Sequence, residues 1–179
     1  RGIMKEKGLR EKDPYDEVVA RASVIDIDSS ASFEEVTRQA ASVLSQRVAV
    51  GEDKLVEGFL EGTRVGATPV DRGVALPHMR LHELEFPLMV IVRSGQGIRI
   101  DIENPIDENY SPDELNHAIF YLVSPEADPA QHLRVLAQLA SHIDESNFMS
   151  LWKSARNEQH LKEILLRDER FLTLDLHRH

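Results

Sequence analysis

Two runs in this chain are apolar at every position: LMVIV at Leu88–Val92 and AIFYLV at Ala118–Val123. Strands of this kind belong in a sheet covered on both faces, because a face turned to water would show as an alternating polar pattern. The covering layers are legible around them. Ser32 with Glu35 three residues on forms a capping box, and Val36, Ala40, Val43 and Leu44 follow at helical spacing, so a helix is predicted to about Arg47. A second helix fits Asp53–Glu61, with Leu55, Val56, Phe59 and Leu60 on one face. Asp128, Pro129 and Gln131 supply cap, first-turn proline and capping-box partner for another, with Leu133, Leu136, Ala137, Ala140 and Ile143 inward. Phe148–Ala155 and Glu158–Leu166 read as two more short helices, and Phe171–Leu176 as a terminal strand or tail. Val24–Ile27 and Val74–Leu76 are short strand candidates. Gly95 and Gly97 set off a further, half-exposed strand in which Ile98, Ile100 and Ile102 alternate with charged residues. Strands interleaved with amphipathic helices predict one α/β sandwich.

Residues 1–16 hold five basic residues (Arg1, Lys5, Lys7, Arg10, Lys12) and almost no apolar period, which predicts a linker or arm. The domain is expected over 17–167, with 168–179 as a C-terminal extension. Within it, 62–73 and 103–116 read as loops. The chain contains no cysteine, which excludes disulfides, thiolate catalysis and cysteine-ligated zinc. A formal charge of −10 argues against a nucleic-acid binder, which needs a basic face to release counterions. No apolar run approaches the ~20 residues that span a bilayer. The basic residues of 1–12, against two acidic ones, suit a segment just inside a membrane, so the domain is expected to hang from the cytosolic end of a transporter.

Of eight histidines, two stand out. His78 follows the Val74–Leu76 strand across Pro77, where the backbone is expected to leave the sheet and a side chain can project into a cleft. His132 falls in the first turn of the helix capped by Asp128, where amides and the helix dipole favour anions. Two such loops could form a phosphate site, and two ordinary packing histidines are the competing reading. His82 and His117 flank strands, His142 suits a helix end, and His160, His177 and His179 carry no assigned role. Nothing in the spacing predicts a metal site or a bound cofactor.

The stretch GATPVDRGVALPH (66–78) resembles the phosphorylation-site signature of the fructose/mannitol-type IIA domain of the bacterial sugar phosphotransferase system. The likeness extends over about 18–167, through the capped first helix, strand 88–92, QGIRI (96–100) and AIFYLVSPEADPAQHLRVLAQLA (118–140). It implies a mixed β-sheet sandwiched by helices, in a cytoplasmic domain. It also implies that His78 accepts a phosphoryl group from a small histidine phosphocarrier protein, with His132 beside it and Thr68 as a hydroxyl donor. Where the family has an Arg-Glu pair ahead of the glycine loop, this chain has Gly62 and Thr63, and Arg64 is the candidate replacement guanidinium. Met79 stands where the family has a small residue, and it is expected to crowd the cleft. A retained histidine in an altered surround suits a regulatory relative attached to a transporter. A non-catalytic anion- or nucleotide-binding module and a free-standing sugar phosphotransferase component are the alternatives.

Overall fold

The computed structural model describes residues 14–101, 111 and 113–166. The expectations for residues 1–13, for Ile102 and most of the loop after it, and for the extension 168–179 lie outside the described residues.

The apolar runs form the middle of a six-stranded mixed sheet. Strand β1 (Ser23–Ile27) pairs parallel with β5 (Leu88–Ile98), and β5 pairs antiparallel with β6 (Asn116–Pro125). On its far side β6 carries β3 (Val74–Ala75), which forms a hairpin with β2 (Val70–Asp71), and β4 (His78–Leu81); both β3 and β4 run parallel to β6. Because β5 and β6 are covered on both faces, alternate residues feed two cores. Met89, Ile91, Phe120 and Leu122 pack with α1 (Tyr15–Ala20), α4 (Pro129–Ile143), α5 (Phe148–Ser154) and α6 (Glu158–Leu166). Val90, Val92, Ile119, Tyr121 and Val123 pack with α2 (Phe33–Ser45) and α3 (Glu52–Arg64). Trp152 and Tyr15 are the largest buried side chains of the first core, and the Tyr15 hydroxyl donates to the Leu165 carbonyl at 2.8 Å. The packed fold therefore includes a residue assigned above to the arm.

Three local expectations change. Gly95 and Gly97 do not end a strand. β5 continues through them to Ile98, and the surplus residues between Arg93 and Ile98 leave as a bulge. Gly97 sits at φ 87°, and a Cβ there would come within 2.6 Å of Leu115 Cβ, so only glycine lets the bulge close. The buried stripe of α4 is His132, Val135 and Leu139, while Leu133 is 64% exposed. Counting the apolar residue next to a polar one set that helix about one position out of phase. Finally, the chain does not leave the sheet after Pro77. Proline has no N–H to offer the ladder, so the strand kinks at Leu76–Pro77 and resumes as β4, opposite Leu122–Pro125 of the same neighbour.

Candidate functional site

The kink determines how His78 is held. The Pro77 carbonyl accepts from Leu122 N–H at 3.0 Å, which restores the ladder beyond the break. The Leu76 carbonyl instead accepts from His78 Nδ1 at 2.8 Å. A carbonyl oxygen can only accept, so the His78 ring carries its proton on Nδ1 and, when neutral, a free lone pair on Nε2. Strand alternation then sorts β4: His78 and Arg80 share the face of Leu122 and Ser124, and Met79 and Leu81 take the other.

His132 comes to the same face from α4. Its Nδ1 lies 2.7 Å from the Ser124 hydroxyl, and its ring centroid lies 5.1 Å from that of His78, the planes tilted by 48°. His132 is 6% exposed where His78 is half-buried. Burial, reinforced by the nearby His78 and Arg80, pushes the His132 pKa down to about 4, so this ring is neutral at pH 7. Arg80 is exposed, forms no ion pair with any described residue, and lies close enough to His132 to help lower its pKa.

The remaining sequence candidates are engaged elsewhere. Thr68 is buried with its hydroxyl 2.6 Å from that of Thr63, tying the end of α3 to the loop after it. Arg64 lies in the last turn of α3, not in a loop, and its guanidinium bonds the Glu61 carboxylate, whose pKa it lowers. The first turn of α4 is also less open than expected. The Asp128 carboxylate already accepts from Gln131 N–H, the Asp128 carbonyl accepts from His132 N–H, and Pro129 has no N–H to give. Met79 does not crowd the histidines. It points into the other core, where Gly58 of α3 makes room for its methyl group. A cavity of about 710 Å³ lies at the start of α2, lined by Ser32, Glu35, Thr63 and Arg99 among others, and neither histidine lines it. Among the described residues no group of His, Asp and Glu is placed to hold a metal ion.

Arg80 and Ser124 were missed in the sequence. Both were findable: once 78–81 is a strand, residues two apart share a face, but taking Pro77 as the strand's end hid that relation.

The sequence model of the phosphoenolpyruvate-dependent sugar phosphotransferase system EIIA 2 family matches residues 19–168. The chain belongs to this family. A nitrogen regulatory protein of Bradyrhizobium diazoefficiens is 24% identical over 152 residues, which are 85% of this chain and 94% of that protein. One from Pseudomonas aeruginosa is 23% identical over 136 residues, covering 75% of this chain and 83% of that protein. Among solved structures, nitrogen regulatory protein IIA-Ntr from Neisseria meningitidis superposes with a TM-score of 0.70 at 20% identity, over 84% of this chain and 97% of that one. IIA mannitol from Escherichia coli does so with a TM-score of 0.60 at 16% identity, over 80% and 95%. These likenesses bear out the α/β fold with its mixed sheet between helices. No described helix is long and apolar enough to cross a membrane.

Proposed function

We propose that this EIIA domain accepts a phosphoryl group on His78 Nε2 from a phosphohistidine carrier and serves as a regulatory component. The observation that carries the reading is the Leu76 carbonyl on His78 Nδ1, which leaves Nε2 as the ring's one nucleophilic atom. In the transfer the Nε2 lone pair forms a bond to phosphorus as the carrier's P–N bond breaks. A carrier phosphohistidine protonated on its other nitrogen leaves as a neutral imidazole. The His78 ring takes up the equivalent charge and keeps its Nδ1 proton on the Leu76 carbonyl. No proton has to be supplied or removed. Phosphoryl transfer then needs positioning and donors around the spread negative charge. Arg80 and a neutral His132 are the groups at hand.

The names of the relatives that this chain covers nearly end to end support a regulatory role over sugar transport. Attachment to a transporter is a further proposal, resting on the basic residues of 1–12 alone. An upstream frame encoding membrane helices would support it, and a start codon within a few codons of residue 1 would refute it.

The direct test is incubation with the phosphocarrier protein, its kinase and phosphoenolpyruvate. One acid-labile, base-stable phosphate is expected, lost in His78→Ala and slowed but retained in His132→Ala, since a positioned donor contributes typically about 10²–10⁴-fold. Labelling that survives His78→Ala overturns the assignment. Phosphate binding without labelling favours the anion-binding module instead.

A further inference from the structure

Resting on the reading of His78 as acceptor, we propose that Ser124 is a positioning residue that fixes His132 in its Nε2–H tautomer and so makes it a hydrogen-bond donor to the transferred phosphoryl group. Ser124 is 0% exposed near the end of β6, and its hydroxyl has one side-chain partner, His132 Nδ1 at 2.7 Å. Two arrangements of that bond exist. If His132 Nδ1–H donated to the oxygen, the buried hydroxyl proton would have no acceptor among the described side chains, leaving a buried donor unsatisfied. If the hydroxyl donates to Nδ1, both atoms of that buried bond are satisfied. A neutral ring has a single proton, and it then sits on Nε2.

The two histidines are thus set in opposite tautomers by two different locks. A carbonyl, acceptor only, puts the His78 proton on Nδ1 and frees Nε2 to attack. A buried hydroxyl, used here as donor, takes the His132 Nδ1 lone pair and leaves Nε2–H to donate. The rings lie 5.1 Å apart by centroid, so a phosphoryl group on His78 Nε2 comes within the neighbourhood of His132 without a change of fold. The titratable groups facing His132 are His78 and Arg80, which add to burial in lowering its pKa, so the donor is neutral and Arg80 is the cation.

The test has two readouts. Two-bond nitrogen–proton NMR of the wild-type protein, labelled with nitrogen-15 and held near pH 7, reads the tautomer directly. An unprotonated Nδ1 and a protonated Nε2 on His132 are expected, with the reverse on His78. A protonated His132 Nδ1 overturns the proposal, and this readout needs no variant to fold. Transfer kinetics supply the second. Ser124→Ala is expected to slow phosphate uptake by roughly tenfold, less than removal of the donor itself, with carrier affinity unchanged and the His132 ring no longer confined to one tautomer. Ser124→Thr, which keeps the hydroxyl, is expected to restore both. An unchanged rate in Ser124→Ala, with the tautomer released, overturns the role in transfer. Wild type that shows the tautomer lock and takes no phosphate overturns the acceptor reading of His78 and leaves the tautomer assignment standing, so the two failures are distinguishable.

Discussion

Gly58 and Met79 make a complementary pair across the α3–β4 contact, and their coupling decides whether Met79 belongs to the core or to the site. A Cβ built on Gly58 would lie 2.4 Å from the Met79 methyl carbon and 3.2 Å from its sulfur. Gly58→Ala relieves the helix penalty of glycine, a gain of about 1 kcal/mol. Against that stands overpacking of about 1–3 kcal/mol, the smaller values applying where the methionine tip swings aside. The net effect in the wild type is therefore near zero to about 2 kcal/mol destabilising. Met79→Ala alone costs about 2 kcal/mol, the low end for such truncations, since Met79 is half-buried. In that background the obstacle is gone and Gly58→Ala stabilises by about 1 kcal/mol. The sign of the Gly58→Ala effect reverses between backgrounds, a coupling of about 1–3 kcal/mol, measurable as midpoints of urea unfolding at constant m-value. The same Gly58→Ala effect in both backgrounds would refute the packing argument. Phosphate uptake by Met79→Ala should match wild type, and a large rate gain would restore Met79 to the cleft.

His132 gives a pH dependence with a definite sign. Its pKa is about 4 in the fold and about 6.5 in an unfolded chain, so the unfolded state binds more protons between those values, and stability falls as pH drops through that window, by up to about 3 kcal/mol. Replacing His132 by Asn should flatten the curve of urea midpoint against pH in that window, and an unflattened curve would place the effect elsewhere. Arg72 sits at φ 48° beside Gly73 at φ 86° in the two-residue β2–β3 turn, where left-handed backbone disfavours most side chains. Arg72→Asn should raise thermal stability by about 1 kcal/mol despite losing the exposed contacts to Asp71 and Asp144, which are worth little. Tyr15→Phe should cost about 1 kcal/mol through the lost bond to Leu165, read by thermal unfolding, and no loss would show that the bond adds nothing to the packing of the ring.

The layers were legible because each is a periodic signal confirmed by a cap. Ser32 and Glu35 bond reciprocally as the motif predicts, and Asp128 caps α4. The continuous apolar runs did become the doubly covered β5 and β6. The errors arose where one residue has two meanings. Proline reads as a strand end, yet here it only interrupts the ladder, which resumes on β6 in the same register, and taking it as the end hid Arg80 and Ser124. Glycine reads as a break, yet Gly97 serves a bulge. His132 was singled out for the anion-attracting start of its helix, but its contacts to Ser124 and His78 come from α4 turning that residue to the sheet, a rotation that Leu133 and its apolar neighbours disguise.

The interrupted strand also bears on the order of assembly. The His78 lock is local, made two residues away, and can form as soon as the β3–β4 segment bends. The His132 lock is local too, eight residues long from β6 into α4, whereas the meeting of the rings requires β4 to find β6 in parallel register, a contact between segments distant in sequence. Closing such loops costs entropy before any contact repays it, so this pairing is among the slower steps of folding. Nascent or partly unfolded chains then hold a bare imidazole with no neighbouring donor, and if His78 is the acceptor, as proposed, a carrier would discharge to them slowly. On the proposed reading of His78 as acceptor, phosphate would mark finished molecules, and a signal built on it would be insensitive to chains still being made.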